Sequence, residues 1–120
     1  MPTSQQFPPI DSYDLVALIP NGTTTSQQLD LAGNCLCGLF MPAAFTGASI
    51  KITAAATSGG TTATVQKDEV GGGDYTITAT AGKYIPVSNL NLLAGTRFIN
   101  LISASSEGAD RSITLAVRPL

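Results

Sequence analysis

The stretch Asn34–Thr53 reads NCLCGLFMPAAFTGASIKIT, and the fold turns on how it is read. Two apolar runs of strand length flank a Met-Pro-Ala-Ala-Phe-Thr-Gly break. In the first run, extended backbone puts Cys35, Cys37, Leu39 and Met41 on one face and Leu36, Gly38 and Phe40 on the other. Pro42 cannot donate to a ladder, and residues 43–47 turn the chain. In Ala48–Ala54, Ile50, Ile52 and Ala54 alternate with Ser49, Lys51 and Thr53, the pattern of a sheet with one wet face. The stretch reads as two core strands joined by a tight apolar corner.

The same periodicity extends in both directions. Upstream, Asp14–Ile19 (DLVALI) is a strand apolar on both faces and is expected to be covered on both. Pro20-Asn21-Gly22 supplies a turn, and Ser26–Leu31 a short strand. Downstream, Thr61–Lys67, Tyr75–Thr80, Thr96–Ala104 and Arg111–Arg118 read as strands, the last with Ile113, Leu115 and Val117 facing inward. Lys83–Val87 is edge-like because of Pro86. Thr57–Gly60, Asp68–Asp74 and Ser88–Gly95 are loops, the last with room for one helical turn, and Ser105–Asp110 is a polar turn. Strands recurring every 8–12 residues or so predict an all-β fold, an antiparallel β-sandwich or jelly roll of about eight strands. It forms one domain over residues 14–120, preceded by an extended N-terminal arm, residues 1–13.

A chain of 120 residues buries roughly two thirds of its unfolded area, enough for a core without metals or disulfides. Only 12% of residues are charged, about half the usual share, so the surface is either hydroxyl- and amide-rich or covered by partners. Net charge is −2, and Lys51, Lys67, Lys83, Arg97, Arg111 and Arg118 are dispersed singly, which argues against a nucleic-acid partner. The start, MPTSQQFPPI, has neither the basic nor the apolar region of a secretory signal. With no apolar run of membrane-spanning length, the expectation is a soluble protein made in a cytoplasm, with no membrane partner. The Asn21-Gly22-Thr23 sequon then reads as a chance match.

Few residues carry chemistry. With no His, neither a Ser-His-Asp nor a Cys-His arrangement can be assembled. Cys35 and Cys37 lie about 6.5–7 Å apart along one side of a strand, too awkwardly placed for an unstrained disulfide. Zinc would need two further soft ligands that the chain lacks, so both cysteines read as reduced packing residues. Asp68, Glu69 and Asp74 surround Gly71-Gly72-Gly73, but the spacing departs from a calcium loop and reads as a solvated hairpin. The triple glycine is not followed by the Lys-Ser/Thr of a phosphate cradle. Aromatics do not interleave with basic residues; Tyr75 and Tyr84 are the candidates for a sugar platform. No catalytic residue, cofactor or metal is expected, and the protein reads as non-enzymatic. Phe7-Pro8-Pro9 favours polyproline-like backbone, so residues 1–13 are either a frayed terminus or an arm docking Phe7, Ile10 and Tyr13 on a neighbouring subunit. Phe7, Pro8, Pro9, Ile10 and Tyr13 form the partner-binding candidate.

Several partial motifs over residues 15–120 carry a resemblance. They are Ile19-Pro20-Asn21-Gly22-Thr23, Leu29-Asp30-Leu31, Leu39-Phe40-Met41-Pro42-Ala43-Ala44-Phe45-Thr46-Gly47-Ala48, Gly95-Thr96-Arg97-Phe98-Ile99 and Arg111-Ser112-Ile113-Thr114-Leu115. Together they resemble small virion proteins of tailed bacteriophages. Two places depart from the pattern: Phe45 stands where a Trp is common, and Gly59–Thr64 lacks an Asp-Gly hairpin. The resemblance implies a jelly roll or β-sandwich acting as a capsid decoration, or cement, protein on the outer shell. Its partner would be the major capsid protein, bridged by a homotrimer at local three-fold positions. A reading of another class is a receptor- or glycan-binding β module on a phage tail or fibre.

Overall fold

A computed structural model of the chain describes residues 13–67, 71–87 and 92–119. Nine strands follow in order: β1 Tyr13–Ile19, β2 Leu29–Asp30, β3 Asn34–Phe40, β4 Ser49–Ala55, β5 Thr62–Thr64, β6 Thr76–Thr78, β7 Tyr84–Pro86, β8 Phe98–Ser103 and β9 Arg111–Pro119. They form a four-stranded sheet ordered β1-β9-β3-β7 and a five-stranded sheet ordered β2-β8-β4-β5, with β6 also on β4. Every pairing is antiparallel. The pairs nest: β1 with β9, β2 with β8, β3 with β7 and β4 with β6. Such a nest wrapped over two sheets is the jelly roll, with β5 as the extra strand.

The core lies between the sheets and follows the period of two. Ala17 and Ile19 of β1, Leu36 and Leu39 of β3, and Ile113, Leu115 and Val117 of β9 meet Ile50, Ile52, Ile77, Ile99 and Leu101 of the facing sheet, all buried. The corner after β3 is held as expected: Met41 and Phe45 are buried, and Pro42 O accepts from the Phe45 and Gly82 amides. β7 with Pro86 is an edge strand, and the inward set of β9 matches the alternation of its sequence.

Three expectations are corrected. β1 is not covered on both faces: Val16 and Leu18 face solvent, because the four-stranded sheet is stacked against a partner sheet on one side only. In β3 the register shifts between Leu36 and Gly38, so the strict alternation fails. The bulge at Cys37 lets both Leu36 and Leu39 reach the core and leaves Phe40 exposed. Several strands are also shorter than their apolar patterns. Ser26–Leu31 pairs only at Leu29–Asp30, with the Ser26 hydroxyl accepting from the Leu101 amide. Thr61–Lys67 pairs with β4 only over Thr62–Thr64, and Val65 alone of its apolar residues packs against the core. The arm residues Phe7, Pro8, Pro9 and Ile10, and the acidic-loop residues Asp68 and Glu69, lie outside the described residues.

Candidate functional site

The exposed large hydrophobic side chains among the described residues are Val16 (49% exposed), Leu18 (38%), Phe40 (49%) and Tyr84 (45%). All four stand on the outer face of the β1-β9-β3-β7 sheet. The register puts Val16 opposite Thr114, Thr114 opposite Phe40 and Phe40 opposite Tyr84, so one row crosses all four strands. The next row runs through Ala116, Gly38 and Pro86, and Leu18 lies opposite Ser112 on the other side. None of these residues is ionisable apart from the Tyr84 phenol. The row is a contiguous apolar strip rather than a scatter of single side chains.

Two residues shape this strip. The rings of Phe40 and Tyr84 lie 4.6 Å apart between centroids, tilted by 49°. A Cβ on residue 38 would collide with the Tyr84 phenol, so Gly38 is what allows that ring to lie down across β3. At the β1 edge, the Gln27 side chain acts as a short surrogate strand. Its Oε1 accepts from the Leu18 amide at 2.8 Å and its Nε2 donates to the Val16 carbonyl at 2.9 Å. The edge beside the row is thereby closed to another strand.

The five-stranded sheet is an internal control. Its outer face carries Lys51, Thr76 and Thr78, all exposed, with Ser49, Asn100 and Ile102 half-buried. Lys51 pairs with Asp74 at 2.8 Å, and Arg97 with Asp30 at 2.9 Å while lying over the Phe98 ring. The Arg97 hydrogen bond and the Ala32 amide hold the Asp30 carboxyl below its usual value. One outer face is thus polar and the other apolar.

Behind the apolar face sits a buried carboxylate. Glu107 is 1% exposed. Its Oε1 accepts from the Thr46 amide at 3.0 Å and Arg111 Nε at 2.9 Å; its Oε2 accepts from Thr46 Oγ1 at 2.9 Å, the Gly47 amide at 3.1 Å and Ser103 Oγ at 3.2 Å. Its backbone joins the 20–23 turn, where the Glu107 amide donates to Thr23 O and its carbonyl accepts from the Gly22 amide. Burial pushes the carboxyl upward, but the donors of Thr46, Arg111 and Gly47 outweigh it, and the group is held below its ordinary value of 4.5. With five donors engaged, the carboxylate is a structural tie for the corner and has no lone pair left to act as a general base.

The residues singled out by sequence are not drawn together. Tyr13 opens β1 opposite Val117, on the edge of the apolar sheet. Cys35 is buried and Cys37 half-buried, both as thiols, with Cys37 Sγ donating to the Cys35 carbonyl at 3.4 Å. Burial, and then the neighbouring Cys37, push the Cys35 thiol above its ordinary value, away from thiolate reactivity. Tyr75 packs half-buried against the core, and only Tyr84 is exposed. Among the described residues there is no group of three or more His, Cys, Asp or Glu side chains that could hold a metal ion, and no helix is long and apolar enough to cross a membrane. Sequence reasoning missed Glu107, a lone acid in a polar turn whose partners lie some sixty residues upstream. It also missed the row, though Phe40 one residue before Met41-Pro42 was a signal, since a strand that ends in two apolar residues must point one of them outward.

No protein-family model, no curated protein and no solved structure matches this chain.

Proposed function

We propose that this chain is a non-enzymatic structural protein of a tailed-bacteriophage particle: a decoration, or cement, protein of the outer capsid shell. It bridges neighbouring major capsid subunits, as a homotrimer at local three-fold positions, through the outer face of the β1-β9-β3-β7 sheet. The observation that carries this reading is the concentration of exposed apolar side chains on one sheet face, against a polar face on the other sheet. An apolar strip flanked by Thr and Ser suits a surface that is wet in the lone chain and dry in an assembly. The low charge content and the phage-like segments of residues 15–120 point the same way. The non-enzymatic part is supported by the lack of His and by the full engagement of Glu107.

The physical logic is mass action. A protein that binds only the mature lattice stabilises it by RT ln(1 + [L]/Kd) at each site, repeated over the shell. The test is imaging of intact particles carrying a labelled copy of this protein. Label distributed over the head supports the reading; label confined to the neck overturns it. Label at the tail or fibre would favour the receptor- or glycan-binding module instead, with the exposed Tyr84 ring as its sugar platform.

A further inference from the structure

The segment that precedes β1 matches the apolar strip in chemistry and in place. Residues 2–10, PTSQQFPPI, contain no ionisable side chain, and neither does the row apart from the Tyr84 phenol. Proline rings pack well on aromatic side chains, and the Phe40–Tyr84 pair offers two such surfaces. The segment enters the sheet at Tyr13, on the same sheet as the strip.

The reach suffices. Six residues of polyproline-like chain between Phe7 and Tyr13 span at most about 19 Å. From the start of β1, the Phe40 position is two strand spacings across and three residues along, about 14 Å away. Tyr84, one strand further, is about 17 Å away. Ile10, with about 9 Å of chain, falls over β1 and β9. Asp11-Ser12 are residues that favour the reversal required. The alternative of adding the segment as a fifth strand beside β1 meets the Gln27 amide, which already holds the Leu18 amide and Val16 carbonyl.

We propose that in the unassembled chain Phe7-Pro8-Pro9-Ile10 lies across the outer face of its own four-stranded sheet and covers the Val16–Thr114–Phe40–Tyr84 row. The tether holds the segment at an effective concentration in the millimolar range, so the same-chain contact outcompetes a second copy at micromolar protein. The strip is thus shielded until an assembly partner displaces the segment. This rests on the face being an interaction surface, but it concerns the lone chain and fails separately from the capsid reading.

The experiment places a photoreactive benzophenone-bearing phenylalanine at position 7 of the full chain. Cross-links are mapped by mass spectrometry at two protein concentrations about a hundredfold apart, both below the millimolar tether value. Expected are cross-links to the β3 and β7 peptides at monomer mass, with a yield independent of concentration. Adding Phe40→Ser, a solvent-facing change, is expected to lower that yield several-fold while the far-ultraviolet spectrum stays unchanged. Cross-links at dimer mass whose yield rises with concentration would overturn the same-chain contact in favour of a second copy. Cross-links only to the five-stranded sheet, or a yield indifferent to Phe40→Ser, would overturn the proposal outright.

Discussion

Glu107 is the residue on which the corner and two turns converge, and its energetics are testable. Glu107→Gln keeps the shape but loses the charge facing Arg111, and its amide NH2 is turned toward donors at Thr46 or Gly47. Removing one partner of a buried ion pair leaves the other uncompensated, so a loss of about 3 kcal/mol is expected in urea unfolding at pH 7. The pH dependence has a definite sign. A carboxyl held below its ordinary 4.5 in the fold stabilises fully above that value, and the contribution is lost as pH falls through the folded value. Stability of the parent should therefore fall more steeply than that of Glu107→Gln below about pH 4.5, and parallel curves would refute the role given to the carboxylate. This residue was illegible in the sequence because its partners are remote: a Glu between Ser106 and Gly108 looks like any solvated turn acid. Cys35 and Cys37, by contrast, were legible as packing residues by elimination, since no His or further thiol exists to activate them.

At the scale of elements, edges and bulges decide what a period-two pattern cannot. The inward sets of β4 and β9 were readable from alternation alone, because both are regular strands paired on both sides. β3 was not, because a bulge at Cys37 transfers Leu36 to the inward set of Leu39 without any mark in composition. β1 was misjudged because an apolar residue on the second face of a strand does not say whether anything lies there. The cap on its edge yields a second prediction. Gln27→Ala leaves the Leu18 amide and Val16 carbonyl to water at a cost of about 1 kcal/mol, while opening the edge to pairing. Sedimentation should show more self-association than the parent; an unchanged distribution would mean the cap has no protective role. A third contrast separates the two faces of β3. Leu39→Ala, on the buried face, is expected to cost about 2–5 kcal/mol, whereas Phe40→Ser, on the open face, should stay within about 0.5 kcal/mol in equilibrium unfolding.

The whole molecule is a nest of pairs in which the chain's ends meet first neighbours: Tyr13 stands against Val117 across the full length of the domain. Such non-local pairing predicts slow folding, with a main refolding phase of milliseconds to seconds rather than microseconds in stopped-flow experiments. The all-β class was readable because turn residues punctuate the chain regularly. The two-sheet order was not, because nothing local says which strands pair. The asymmetry between the two outer faces emerges only once that order is known, and it is the feature from which the assembly role is argued. A double substitution, Val16→Lys with Phe40→Lys, charges the strip without touching the core. The decisive measurement is the occupancy of this variant on purified phage shells that lack the protein, alongside its thermal unfolding. An unchanged unfolding midpoint with occupancy reduced at least about tenfold, some 1.4 kcal/mol of binding, is the expected result. Parent-level occupancy by the doubly charged face would contradict the account.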